Sequence, residues 1–218
     1  VTDQKVRYLV NASPHGDHVN GNAAFEGVTI VAHERARESM IHAAENAGNP
    51  PPPLPSVLFA ERMELHVAGT TIELHYFGPA HTPGDTIVYL PEQKIAFLSE
   101  VYFNGVFTSL GDGFVKSHLE VLDEARALGA DWFIPGHGYI EGQSREQLRA
   151  GLDRYAENVR VVYDAVLQHV EAGDSLLDTL AAIDGELGEF AEAPFYSFLK
   201  KRTVEGTYKA LSAANQDR

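Results

Sequence analysis

The sequence predicts an α/β protein of the α+β kind, with a β-rich first part and a helical last part. Three observations carry this. From Arg62 to Leu98 apolar residues alternate in paired runs, the period of half-buried strands joined as hairpins. After Lys116 the period lengthens to that of a helix. Beyond Ser144, apolar residues at Leu148, Leu152, Tyr155, Val159, Val162 and Val166 mark one face of a long helix. No repeat or linker divides the 218 residues, so one domain over 1–218 is expected, its segment 144–218 mainly helical.

The elements follow in order. "RYLVN" (Arg7 to Asn11) reads as a short buried strand, and "VTIVA" (Val28 to Ala32) as a second. "HERARESMIHAAENAG" reads as a helix ending at Gly48. Asn49 to Pro55 holds five prolines in seven residues, which can form neither helix nor central strand. This stretch is a stiff connecting loop, read either as a spacer or as a rim over a site. Met63, Leu65 and Val67 alternate, "AGT" turns the chain, and Ile72, Leu74 and Tyr76 alternate again. "TIVYL" and "KIAFL" flank a "PEQ" turn and form a second hairpin. Ser117 and Glu120 suggest a capping box for a helix reaching about Leu128, and Ser144 and Gln147 suggest another for the long helix. "DWFI" is a last strand, and helices over Leu176 to Ile183 and Phe195 to Leu211 finish the chain.

Composition narrows the function classes. A hydrophobic fraction of 44% fits a globular chain, and a net charge of −14 repels phosphate backbones, so no nucleic-acid partner is expected. The absence of cysteine excludes disulfides, thiolate metal sites and a cysteine nucleophile. No apolar run approaches the ~20 residues that span a bilayer, so no membrane partner is expected. The opening "VTDQKVRYLV" shows no signal peptide, and a soluble, cytoplasmic protein is the expectation.

Four of the ten histidines, in three loops, share a setting. His15 and His18, with Asp17 between them, lie in "SPHGDH" directly after the first strand. His81 lies in "GPAHTPGD" after the strand ending near Phe77, and His137 lies in "IPGHGY" after "DWFI". Each is at the carboxyl end of an expected strand, flanked by glycine or proline. Any one alone reads as an ordinary loop histidine. Together, imidazoles and a carboxylate drawn from separate loops suit Zn²⁺ or a similar transition metal, which takes ~3–4 protein ligands. His33, His42, His66, His75, His118 and His169 lack this setting, although His33 opens a helix.

"SPHGDH", "GPAHTPGD", "FLSE" and "PGHG", in this order, resemble the metallo-β-lactamase superfamily, over Tyr8 to about Tyr139. The resemblance implies an αββα sandwich with metals at one edge between the sheets, followed here by C-terminal helices. It implies His15 and His81 at a first metal site, Asp17, His18 and His137 at a second, and Glu100 at the position of a bridging carboxylate. The chain departs from the family pattern in three ways. Ser13 stands where the family has its first histidine. Glu100 replaces the usual aspartate, its longer arm moving the carboxylate by ~1.5 Å. Only 12 residues precede Ser13, so part of the N-terminal sheet is expected to be missing. The expected site is therefore asymmetric, with one tightly held Zn²⁺ and a weaker or absent second ion.

The activity implied is metal-dependent hydrolysis, a zinc-bound hydroxide attacking a small-molecule ester, thioester, lactone or amide. Asp17 would be catalytic as well as a ligand, orienting the water or taking its proton. Tyr102, Asn104 and Tyr139 lie near the motifs and are candidate substrate-binding residues, against a role in packing or turns. Two other classes stay open: an iron-dependent dioxygenase or other redox member of the superfamily, with Fe in place of Zn, and a degenerate, non-catalytic metal-binding protein. Phe195, Tyr196, Phe198 and Leu199 form an aromatic cluster expected in the helical core; exposed, it would be a homodimer contact.

Overall fold

Short apolar runs bounded by turn residues become strands here in two main groups, the first interrupted by the proline-rich loop and the second following it. The structure is a computed structural model describing residues 5–140 and 142–216, so the outermost residues of the expected domain lie outside it. The first group is β1 (Tyr8–Asn11), β2 (Thr29–His33) and β3 (Val57–Phe59), a parallel sheet in the order β1-β2-β3. Between β1 and β2 the chain makes a single helical turn, α1 (Gly16–Val19), and between β2 and β3 runs α2 (Glu34–Ala47). Parallel neighbours need crossovers of this kind.

The second group follows the expected hairpins. β4 (Arg62–Val67), β5 (Thr70–His75), β6 (Ile87–Leu90) and β7 (Ile95–Phe97) pair antiparallel in sequence order. β9 (Trp132–Ile134) then joins β7 in parallel, after the crossover helix α3 (Val115–Ala127). Two-residue strands β8 (Phe103–Asn104) and β10 (His137–Gly138) pair in parallel, with His137 opposite Phe103. The helices α4 (Arg145–Ala172), α5 (Leu176–Ala182) and α6 (Tyr196–Gln216) complete the fold.

Two apolar clusters hold the layers. Val31, Phe59 and Leu74 meet between the two sheets, with Met63, Leu65 and Ile72 packed around them. A larger cluster joins the second sheet to α3, α4 and α6 through Ala96, Phe133, Leu122, Val159 and Val204. With α2 against β2 on the far side, the architecture is the expected αββα sandwich with C-terminal helices. Among the described residues no helix is long and apolar enough to cross a membrane.

Most expected boundaries hold to within a residue or two. The Ser144–Gln147 capping box forms in both directions. The one at Ser117 does not: α3 starts at Val115, and the Ser117 hydroxyl donates to the Pro79 carbonyl instead. That carbonyl lies two residues before His81, so tertiary bonding has taken the hydroxyl from the helix end. Asp17 and His18 were expected in an open loop and sit on the α1 turn, with His15 at its amino end. The proline loop flanks this turn, with Pro50 and Pro52 beside Pro14 and Gly16, and the Pro53 carbonyl accepting from Asn22.

Candidate metal centre

The donors come from the ends of strands in both sheets. His15, Asp17 and His18 leave β1, whose last residue Asn11 is buried and paired with Asn22 through both side-chain amides. His81 follows β5, Glu100 follows β7, and His137 lies just past β9. Two backbone features bring the last two together. Ser99, buried beside Glu100, has φ of 49°, a conformation that costs a non-glycine residue ~1 kcal/mol or more. Gly136 donates to the Ser99 and Tyr102 carbonyls, and a Cβ there would lie 2.4 Å from the Ser99 carbonyl. Only glycine lets the His137 loop approach that closely.

Glu100 is the hub. Its Oε2 is 2.9 Å from His15 Nδ1 and accepts from the Ser13 hydroxyl. Its Oε1 is 3.3 Å from His81 Nε2, 3.4 Å from His137 Nε2 and 3.6 Å from His18 Nε2. The Asp17 Oδ2 is 3.3 Å from His137 Nε2 and 3.4 Å from His18 Nε2. These atoms form two groups, each within 4.8 Å: Asp17, His18, Glu100 and His137, and His15, His81 and Glu100. The longer carboxylate thus belongs to both groups. Burial opposes its ionisation, but the bonds from His137, His15, His18 and His81 outweigh it and hold the Glu100 carboxyl far below the usual range. Burial likewise pulls His15 and His18 down, and their bonds to Glu100 more than reverse it, so both are raised.

The donor chemistry fits a cation. His81 Nδ1 is 2.8 Å from the Ser109 carbonyl, which can only accept, so Nδ1 carries the proton. That leaves Nε2, 3.3 Å from a Glu100 oxygen, as the ring atom that faces the cluster. The His18 and His137 Nε2 atoms face each other at 3.3 Å, within reach of a common ion. A metal ion among these groups would take up their lone pairs, and a histidine whose other nitrogen is fixed by a carbonyl is the usual form of such a ligand.

The remaining expected residues stand apart from this cluster. Tyr102 is fully buried and its hydroxyl donates to the Leu148 carbonyl. Asn104 donates to the Tyr139 carbonyl at 2.6 Å, and Tyr139 lies exposed against Gly105. None of the three lines the cavity over the donors. His33 is structural: Nδ1 accepts from the Arg35 amide, Nε2 bonds the Ala60 carbonyl, and the ring stacks on Tyr76 at 3.7 Å.

That cavity, of about 240 Å³, has the donor cluster as its floor. Phe103, Val106, Phe195, Phe198, Leu199 and Arg202 form its walls. Sequence reasoning placed the aromatics of α6 in the core, and Tyr196 does pack there against Phe107. Phe195 and Phe198 instead are 61% and 79% exposed. The helical period distinguishes these faces only once it is known which side of α6 meets α4.

The family model of the metallo-beta-lactamase superfamily matches residues 1–137. The chain is 26% identical over 196 residues to the 2,4-dinitroanisole O-demethylase subunit alpha of Nocardioides sp. (strain JS1661), covering 88% of this chain and 56% of that protein. It therefore spans little more than half the length of that curated relative. A metallo-beta-lactamase from Pontibacter korlensis superposes with a TM-score of 0.59 at 25% identity, over 72% of this chain and 70% of that one. The inverting sec-alkylsulfatase Pisa1 from Pseudomonas sp. shares the fold at a TM-score of 0.73 and 14% identity, over 98% of this chain and 42% of that one. The matched segment runs from the first strand to His137 and so takes in every donor of the cluster: the chain belongs to the metallo-beta-lactamase superfamily.

Proposed function

We propose that the protein is a metal-dependent hydrolase of small-molecule esters, thioesters, lactones or amides. The observation that supports this most is the convergence of four imidazoles and two carboxylates, all but His18 lining a cavity large enough for a small substrate. Asp17, His18, Glu100 and His137 would hold one Zn²⁺ tightly; His15, His81 and Glu100, with one donor fewer, would hold a second more weakly. Zinc bound among such ligands acidifies water towards a pKa of ~7 and polarises a carbonyl oxygen.

The residues supply position and a proton acceptor. In the reaction water adds to the carbonyl carbon, the bond to the leaving oxygen, sulfur or nitrogen breaks, and the water's proton ends on the leaving group. Asp17 is the one carboxylate of the cluster that reaches solvent, 57% exposed against 4% for Glu100, so it can take that proton and pass it on. Glu100 stays ionised and orients four rings.

Metal content by mass spectrometry on protein purified without added metal, with the His137→Ala variant alongside, tests this. About one zinc per chain, lost in His137→Ala together with ester turnover, is the expected result. The substrate screen includes 2,4-dinitroanisole and a secondary alkyl sulfate, substrates suggested by the relatives' names. Iron with oxygen uptake would replace the hydrolase with a redox enzyme. Zinc binding without turnover of any substrate would leave a binding protein.

A further inference from the structure

We infer that α6 forms a substrate-selecting wall, and that the site takes an uncharged carbonyl compound carrying a single aromatic ring. This rests on the hydrolase reading and adds to it the residues that choose the substrate. Phe195, Phe198 and Leu199 face the donor cluster across the cavity, and Phe103 and Val106 close its apolar side. An apolar cavity of about 150 Å³ holds benzene. The volume here, about 240 Å³, leaves room for one ring and a reacting carbonyl.

The wall is costly to build. Phe195 has φ of 68°, left-handed backbone that a bulky residue rarely adopts, and it remains exposed. Tyr196, not Phe195, fills the hydrophobic slot beside Phe107, so the Phe195 ring takes no part in the core. An aromatic ring lying on Phe195 and Phe198 would bury both and gain the edge or offset contacts such rings favour. The one cation on the wall, Arg202, is 3.2 Å from Asp112, so its charge is already matched and it does not call for an anionic substrate.

The wall is also rigid. The Thr203 hydroxyl donates to the Thr108 carbonyl at 3.0 Å and accepts from the Leu110 amide at 3.3 Å. The residue between these two, Ser109, carries the carbonyl that fixes His81. Wall and donor floor therefore hang from one short segment, and their separation is set before any ligand arrives.

Acetophenone has the ring and carbonyl of an aryl ester but no leaving group, so calorimetry reads its binding without turnover, on both metal-stripped and zinc-loaded protein. Wild type is expected to bind it in both forms. Phe198→Ser and Phe195→Gly should each weaken binding about fivefold, with butanone, which has no ring, unaffected. Because Phe198 is exposed and Phe195→Gly relieves the left-handed backbone, neither variant should lower the wild-type melting midpoint, which separates a lost wall from a lost fold. Equal affinity for acetophenone in wild type and Phe198→Ser, or no binding, overturns the inference. So does a wild-type dimer by light scattering that Phe198→Ser dissociates, because the ring would then be covered by a second copy. Hydrolysis of phenyl acetate and methyl acetate with the same kcat/KM ratio in wild type and Phe198→Ser rejects the wall and keeps the hydrolase. Ring-dependent binding with no hydrolysis of any ester does the reverse.

Discussion

The Ser13 hydroxyl donates to the Glu100 carboxylate, joining two of the positions where this chain departs from its family's pattern. A histidine at 13 would bring a ring to the place this carboxylate fills. The serine is shorter and donates, the glutamate is longer and accepts, and the two changes fit one another. Ser13 also accepts from the His15 amide at 3.3 Å, so one hydroxyl orders both the hub and its neighbouring donor.

Ser13→Ala should therefore weaken zinc binding without removing a ligand. Outer partners of metal ligands are typically worth ten- to hundredfold in affinity, and about tenfold is expected here. Competition with a chelator of known affinity measures it. An unchanged affinity would mean that Glu100 is held by the four histidines alone.

His118 gives a pH dependence of known sign. It is fully buried in α3, with Nε2 bonded to the Val101 carbonyl and Nδ1 without a partner, and burial pushes its pKa down to about 4. In the unfolded chain it titrates near 6.5. As pH falls through that window the unfolded state takes up the proton first, so stability is lost by about 1.4 kcal/mol per unit, ~3 kcal/mol in all. His118→Gln keeps a donor for Val101 and cannot titrate. Its stability relative to wild type should rise by that amount between pH 7 and pH 4, measured by urea unfolding of metal-free protein.

Thr203→Val keeps the shape of the side chain and removes the hydroxyl that serves Thr108 and Leu110. The site is buried, so the Leu110 amide loses its partner away from water, at a cost of about 1–3 kcal/mol. Thermal unfolding should show a lower midpoint, and binding of ring-bearing ligands should weaken with it.

Gly206 lies where α6 crosses the segment Leu110–Gly111. A Cβ there would meet the Leu110 and Gly111 carbonyl oxygens at 2.4 and 2.6 Å. Those are backbone atoms that cannot rotate away, so Gly206→Ala must push the helix outward despite the better helix propensity of alanine. A loss of about 1–3 kcal/mol in denaturant unfolding is expected, and a neutral or stabilising result would show that α6 sits further out in solution.

Much of this was legible in the sequence, for physical reasons. β4 to β7 announced themselves because a period of two with turn residues between runs has few competing explanations. Five of the six clustered residues were legible because each follows a strand that fixes where its loop points, and Glu100 through the resemblance of "FLSE" to the family motif. What the sequence concealed was tertiary: which face of α6 turns inward, and where the Ser117 hydroxyl finds its acceptor. β3 was missed because three residues after a proline loop carry no periodicity. The role of Ser13 was hidden because its partner is 87 positions away.

His18 and His137 meet although 119 positions separate them, and the two come from opposite sheets. The centre is thus a fastener across the sandwich: its donors come from four separate stretches of the chain that only folding brings together, so an ion would prefer the folded state by most of its affinity. At a free concentration a hundred times its dissociation constant, that linkage adds about 2.7 kcal/mol to the stability of the sandwich. With such a centre filled, the supply of metal in the surroundings would set the lifetime of the protein, and a chain starved of the ion would be the one that opens between its layers first.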